Sequence, residues 1–587
     1  MSKRAGARGG TRSMRRLALG LAGFVGAAAV AVPLLAARAP VDDAGDRLLA
    51  GLAQATGLSV QANGRSEVSL FPRPRVRVEG VSLAHEGEPP FAVARGLTGT
   101  LDPLALLQGR IKLGELILDQ PQIALDRLPY ADVLSALRSN AAVAPPSIRL
   151  SDGRLQWKGR VADKIEGGLV WPRDGGSFTL SGYGRFGGRP VEAKMQLADV
   201  AAFARGERAP FRARLEGGGA RVLFDGDTID EGGLKLVGDV SVRASELADT
   251  LGWLGARPSP AKAASGWGAS FAGRGQLDAS GLQISNGELD LAGRSFLGAG
   301  RVTAGPAGPA VEATLDAGSI DLKPYLALLA PEVARPDGTW SARSVDLDGL
   351  RGWTLDLRLS ADEMRLGGLT LERPALTAAV AEGGLDLSIG EASAYGGAVG
   401  GRLSIEPDGA VARLRFEGGA TDLALGEALE ALAGRRPLAG TLTAEVAVES
   451  EGSSIQALVA GLRGQAKARL ADGLLATRSR SRTLALAGLG DKIEFARAEA
   501  AMVIKEGVAR ADPVSIEGPH ANFTLAGDAS LVDRELSLRG FVKPSGAAWT
   551  LPVRLTGPLF EPKLRPDLSG RPPRGEASRS GAGPTEP

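Results

Sequence analysis

Residues 412–432, ARLRFEGGATDLALGEALEAL, alternate with a period of two through their first half. Leu414 and Phe416 face one way, and Arg413, Arg415 and Glu417 face the other. That is the pattern of a strand with one wet and one dry face. The spacing predicts that Gly418 and Gly419 break the strand. Thr421 or Asp422 would then cap a short helix carrying Leu423, Leu425, Leu429 and Leu432. Strand, glycine break and small leucine-rich helix recur along the chain. This constrains the fold more than any other feature, because every such strand makes a dry face that something has to cover.

After Ala141 the pattern is strand upon strand at intervals of about ten residues, with glycine at nearly every turn. Ile148–Trp157, Ser177–Ser181, Phe211–Leu215, Leu282–Ala292 and Leu355–Leu359 are examples. Short helices are predicted at SELADTLGWL from 245, DLKPYLALL from 321 and DLALGEALEAL from 422. Nearer the N-terminus, residues 42–57 read as a short amphipathic helix with acids in its first turn. Val76-Arg77-Val78-Glu79 then alternates, and Gly80 resets the register. Asp102 is a good cap for a helix that Pro103 opens and Gly109 ends. In the strand that follows, Gly114 shifts the apolar phase from Ile111 and Leu113 to Leu116 and Leu118, as a bulge would.

At 587 residues the chain is long enough for two to four domains. Its apolar residues are unusual in kind: aromatics make up 4%, against 82 glycines, so leucine, valine and alanine do the covering. There is no cysteine, which excludes disulfides, thiolate catalysis and cysteine-ligated metal. The formal charge is +2, yet Lys3, Arg4, Arg8, Arg12, Arg15 and Arg16 place +6 in residues 1–16, leaving −4 for the remainder. Nothing in that balance points to nucleic acid.

LALGLAGFVGAAAVAVPLLAA, residues 17–37, carries no charge, and as a helix it would reach about 32 Å, the hydrocarbon thickness of a bilayer. Arg12, Arg15 and Arg16 precede it, so the positive-inside rule sets the N-terminus in the cytoplasm and the body outside. Ala37-Arg38-Ala39 resembles a signal-peptidase site, but Pro40 would follow the cut, and the apolar run is longer than a usual signal core. A retained single-pass anchor is the expectation. A twin-arginine signal at Arg15-Arg16 lacks the cofactor motif that would suit it.

Catalytic constellations are missing. The two histidines, His85 and His520, are too few for a metal cluster or a Ser-His-Asp triad. GYGRFG at 182–187 fits G-x-G-x-x-G but is followed by RPVEAKMQL, a strand rather than a helix, so a hairpin turn is expected there. DGDTIDEGG at 225–233 has Ile229 where a calcium loop needs its third ligand, and reads as a polar turn. No P-loop and no G-x-S-x-G occurs. The expectation is a non-enzyme with no cofactor and no metal.

The few short helices can cover only a fraction of the dry strands. The residues leave two solutions open: sheets packed face to face as sandwiches, or one long sheet forming a trough whose apolar lining is completed by lipid chains. About 30 strands at a spacing near 4.8 Å would extend on the order of 140 Å in the second case.

Several stretches, in order, resemble the AsmA family of Gram-negative envelopes. At the N-terminal end these are the single anchor, the helix ending in Thr56-Gly57, LFPRPRVRVEGVSL (70–83) and LDPLALLQGRIKLGELILDQPQIALDR (101–127). At the C-terminal end they are ASAYGGAVGGRLSI (392–405), RRPLAGTLTAEVAV (435–448), GSSIQALVAGLRGQAKARLADGLL (452–475) and residues 504–542. PVRLTGPLFEPKLRPD (552–567) closes the set with a G-x-x-x-x-P signature.

The resemblance implies a mainly β fold with a few short helices: an elongated, twisted antiparallel sheet curled into a chorein-like groove after one transmembrane helix. It implies a basic cytoplasmic segment 1–16, an anchor 17–37, an N-terminal AsmA-like domain 40–240 and a central segment 241–349 with a linker near 255–266. A C-terminal AsmA-like domain 350–567 and a disordered tail 568–587 would follow. The implied place is the bacterial inner membrane with the body in the periplasm. The implied function is support of outer-membrane biogenesis, by shielding or conducting phospholipid acyl chains along the groove with outer-membrane assembly or lipid-transport components as partners. The alternative is a scaffold for outer-membrane protein assembly without lipid. Groove lining would fall on Val76, Val78, Leu414, Phe416, Val446, Val448, Leu536 and Leu538, the alternating apolar residues of the clearest strands.

Overall fold

The structure is a computed structural model that describes residues 45–567, apart from breaks of which the longest are 54–58, 109–112, 128–146, 171–175, 255–265, 328–332 and 477–491. The basic segment with Arg12, Arg15 and Arg16, the apolar run 17–37, His85, all but the last residue of the 255–266 linker and the tail 568–587 lie outside the described residues. Among the described residues, no helix is long and apolar enough to cross a membrane.

The fold is mainly β, and the chain divides into two compact units, Met1–Gly255 with Ser270–Ala279, and Ala256–Ala269 with Ser280–Pro587. In the first unit the strands are β1 (Ser59–Ala62), β2 (Ser66–Ser69), β3 (Arg75–Ala84), β4 (Ala92–Leu101), β5 (Leu113–Asp119), β6 (Gln122–Ala124) and β7 (Ser147–Trp157). They continue as β8 (Arg160–Val170), β9 (Phe178–Phe186), β10 (Arg189–Leu197), β11 (Ala209–Gly217), β12 (Ala220–Asp230), β13 (Leu234–Ala244) and, all but its first residue, β14 (Ala269–Asp278). The second unit begins with β15 (Gly281–Leu291), β16 (Arg294–Gly305), β17 (Gly308–Asp321), β18 (Thr354–Leu366), β19 (Leu369–Glu372), β20 (Ala375–Ala381), β21 (Gly384–Ala394), β22 (Gly397–Asp408) and β23 (Val411–Ala424). It ends with β24 (Leu438–Gly452), β25 (Arg463–Ala476), β26 (Lys492–Lys505), β27 (Val508–Glu517), β28 (Ala521–Ser530), β29 (Glu535–Pro544), β30 (Leu551–Pro558) and β31 (Lys563–Pro566).

Most neighbours pair antiparallel as successive hairpins, for example β9 with β10 and β22 with β23. The pairing is nevertheless mixed, where the family resemblance implied an antiparallel sheet. β5 and β6 run parallel to β7, and β17 runs parallel to β18. Parallel neighbours need a crossover connection. Between β17 and β18 the chain supplies one, through the Lys323–Leu326 helix and the 3₁₀ turn Asp348–Leu350.

Local chemistry explains several elements directly. Asp102 accepts hydrogen bonds from the amides of Leu104 (2.9 Å) and Ala105 (3.4 Å) and so starts the Pro103–Leu107 helix. The register of β4 on β5 slips between Gly99 and Leu101, where the Thr100 hydroxyl takes over by accepting from the Glu115 amide at 2.7 Å. Gly182 and Gly184 lie inside β9, and Gly187-Gly188, at φ 58° and 77°, form the two-residue turn into β10.

Two expectations are corrected. Asp225–Asp230 is not a turn but the end of β12, paired residue by residue with β13. Gly418 and Gly419 do not break β23, which runs on to Ala424 because β22 and β24 hold both glycines extended from either side. The irregularity comes at Asp422, a left-handed residue (φ 55°) in a bulge after which Leu423 and Ala424 still pair with β24, and the helix begins only at Leu425, with no side-chain cap.

Some of the apolar surface is fully closed. In the first unit Leu48 packs on Val76, Val78, Val81, Leu97, Leu101 and Leu116. In the second, Phe523, Leu525, Val542, Val553, Leu555 and Leu564 form a core among the last strands. Leu97 is completely buried. Leu97→Ala is expected to cost about 2–5 kcal/mol, read as a lower urea midpoint for the first unit.

Candidate functional site: two half-covered apolar faces

Residues paired across neighbouring strands share a face. In the first unit this places Leu180, Met195, Ala213, Phe224 and Val240 in one row across β9 to β13. The next rows are Gly182-Ala193-Leu215-Val222-Val242, Gly184-Val191-Gly217-Ala220-Ala244 and Phe178-Leu197-Phe211-Gly226-Gly238. Four rows across five strands therefore hold no charged or polar side chain. The opposite face takes the charges, as in the row Tyr183-Glu192-Glu216-Arg221-Arg243.

Short helices cover the ends of this apolar face. At one end the Val200–Ala204 helix, capped by Asp199 accepting from Ala202 at 2.8 Å, lays Val200 and Phe203 against Leu197 and Ala209. At the other end Trp253, on the Leu247–Trp253 helix, donates its indole N–H to the Phe186 carbonyl at 2.6 Å and meets the Phe186 ring edge-on at 5.4 Å. Its ring sits on Gly217, the last residue of β11, and on Gly218 of the turn that follows, where a Cβ at Gly218 would overlap the indole. Between the two ends the face stays open: Met195 is 38% and Leu215 44% exposed.

The second unit repeats the arrangement across β22 to β26. Its rows are Leu403-Phe416-Val448-Gly464-Ile504, Gly401-Gly418-Val446-Ala466-Met502 and Val399-Ala420-Ala444-Ala468-Ala500. All of these except Ile504 are half-buried. The Phe416 ring lies down over the glycine floor, so a Cβ on Gly418 would come within 2.8 Å of it. Cover again falls at the strand ends. Leu347 and Leu350 pack on Val380, Leu385 and Ala412, and Ala428 of the Leu425–Ala433 helix joins a cluster with Leu423 and Met364.

The polar face of this unit is tied together across strands. Arg413 bonds Glu451 (3.1 Å) and Asp408 (2.7 Å), Arg463 bonds Glu449 (2.9 Å), and Arg469 bonds Glu499 (2.8 Å). A hydrogen bond from Arg402 holds the Asp386 carboxyl below its ordinary range, and Arg510 does the same for Asp528. Such pairs persist above the ordinary carboxylate range and are lost only as pH falls through the lowered values. Being exposed, they set register more than stability.

The sequence-predicted lining residues separate into two groups. Leu414, Phe416, Val446 and Val448 are half-buried on the open face of the second unit. Val76 and Val78, at 1% and 0% exposure, lie in the closed core beneath Leu48 and present no surface to a ligand. Leu538 is buried in the C-terminal core, and Leu536 packs against it. The first unit's face, with Met195 and Leu215 at its centre, is not among the sequence-predicted lining, although RPVEAKMQL and FRARLEG alternate as cleanly as the strands that are. Among the described residues no group of side chains is arranged to hold a metal ion.

Compared with protein families, residues 330–514 match the model of the AsmA family. That segment contains β18 to β26 and so the open face of the second unit. No curated protein and no solved structure matches the chain.

Openness has a direct mutational signature. Leu215→Asp places a charge where water already reaches and is expected to change stability by less than about 1 kcal/mol. Val78→Asp, on the closed side of the same unit, buries an unpaired carboxylate and is expected to cost several kcal/mol, about 4 or more. Chemical denaturation of the two variants side by side checks the contrast.

Proposed function

From an AsmA-family assignment resting on residues 330–514, we propose that this protein serves outer-membrane biogenesis by sheltering lipid acyl chains on its open apolar faces. AsmA-family sequence suggests a role related to outer-membrane biogenesis, and the physical chemistry of the faces supplies the lipid. The observation that carries the proposal is the four charge-free rows of β9 to β13, with Met195 and Leu215 standing in water at their centre. An acyl chain laid there gains about 0.8 kcal/mol per methylene removed from water. A dozen methylenes thus contribute about 10 kcal/mol before the cost of immobilising the lipid. No polar contact is needed for affinity, so lipids of different head group are accommodated.

In this proposal residues 17–37 anchor the chain in the inner membrane with Arg12, Arg15 and Arg16 on the cytoplasmic side, and the body works in the periplasm. Phospholipid is the ligand, and outer-membrane assembly or lipid-transport components receive it. The chain acts as a carrier surface, with no catalysis.

Native mass spectrometry of the gently extracted full-length protein tests this. Co-purifying phospholipid is expected, at one or more per chain, and a combined Leu215→Asp, Val446→Asp variant of unchanged fold is expected to lose most of it. A wild-type protein free of lipid would leave the scaffold role in its place.

A further inference from the structure

The apolar face of the first unit changes character at the rim beside Trp253. Ala162 of β8 pairs with Phe186, and Phe186 pairs in turn with Arg189, so the three share that face. Arg160, two residues before Ala162, and Trp157, which pairs with Arg160, lie on the same side. Two arginines and three aromatic rings therefore meet where the charge-free rows end. The Arg160 guanidinium stands 5.7 Å from the Phe186 ring centre. It is half-buried and has no acidic partner among the described residues. Arg189 has one acid within reach, Asp249 at 3.7 Å, beyond hydrogen-bonding distance and largely in water. Trp157 is 52% exposed.

A half-buried cation without a counter-ion is costly unless something anionic visits it. Arginine over an aromatic face keeps its N–H groups free for a second partner, and its fork matches phosphate or carboxylate oxygens. Directly inward from this rim the surface offers only hydrocarbon. A ligand satisfying both halves is an amphiphile: an anionic head at Arg160 and Arg189 and an alkyl chain running over Val191, Ala193 and Leu215.

We infer that this rim is a head-group subsite selecting anionic amphiphiles, phosphate-bearing ones above all, over neutral ones. The inference rests on the acyl-chain function proposed above and adds to it a preference that the faces alone do not give. Tyr183 and the charges of the opposite face take no part, since they point away from the chain.

Equilibrium dialysis of the full-length protein in neutral phosphatidylcholine nanodiscs, against dodecyl phosphate, dodecanol and inorganic phosphate, tests it. Dodecyl phosphate is expected to bind at least ten-fold more tightly than dodecanol, and inorganic phosphate far more weakly than either. Arg160→Gln is expected to weaken dodecyl phosphate about ten-fold, leave dodecanol unchanged and keep the wild-type melting curve. Arg160→Lys should recover part of the loss, and Arg189→Gln should reproduce it. Equal binding of the two dodecyl compounds, or an Arg160→Gln protein with undiminished affinity, overturns the subsite while leaving the acyl-chain surface intact. Inorganic phosphate binding as tightly as dodecyl phosphate overturns it too, by making the rim a plain anion site. If neither dodecyl compound binds above empty nanodiscs, the subsite falls together with the surface it serves.

Discussion

Everything in this molecule depends on the separation of charge from hydrocarbon across the strands. In the rows across β9 to β13 and again across β22 to β26, charged side chains gather on one side of the sheet and leave the middle of the other to hydrocarbon, with charge reaching the apolar side only at strand ends such as Arg189. A slip of one residue in any pair would move a whole charged row onto the apolar side. Cross-strand pairs such as Arg413 with Glu451 and Arg510 with Asp528 oppose that slip from the polar face. Tight turns such as Gly187-Gly188 fix each hairpin's length.

A sheet so divided needs cover on one side, and the chain provides it sparingly. Among the described residues the helices are short and lie at strand ends, where Phe203 and Trp253 cap the first unit's face and Leu350 and Ala428 help to close the second's. The last strands do better, closing their own core around Phe523, Val542 and Val553. The same alternation of side chains thus yields a dry interior in one place and an unfinished surface in another. Leaving a leucine-sized side chain exposed forgoes about 1.5–3 kcal/mol. A ligand that covers Met195 and Leu215, 38% and 44% exposed, recovers the part of it that those side chains still leave in water, which couples occupancy to stability.

Most of the local structure could be read from the residues, because it is decided locally. The Asp102 cap, the bulge around Gly114, the 182–187 hairpin and the helices near 245 and 425 follow from side chains within a few positions of one another. What could not be read is decided by distant partners. Gly418-Gly419 looks like a strand end until β22 and β24 are placed on either side. Val76-Arg77-Val78 and Leu414-Arg415-Phe416 carry the same pattern, yet the first is sealed because Leu48 sits on it and the second is not. Alternation identifies which residues avoid water; it does not identify what covers them. The anion-free Arg160 is a similar case, visible only once β8 is seen to bring it beside Phe186.

The absence of native cysteine makes the central claim directly measurable, since one introduced cysteine is one label. Ala213 and Ala466 lie on the open faces, Thr179 lies on the polar side, and Ala412 lies under Leu347 and Leu350. A fluorophore placed at each in turn can be challenged with phospholipid brominated along its acyl chains. Quenching at positions 213 and 466, with none at 179 or 412, is the predicted result. Equal quenching at all four positions, or none at 213 and 466, would contradict it.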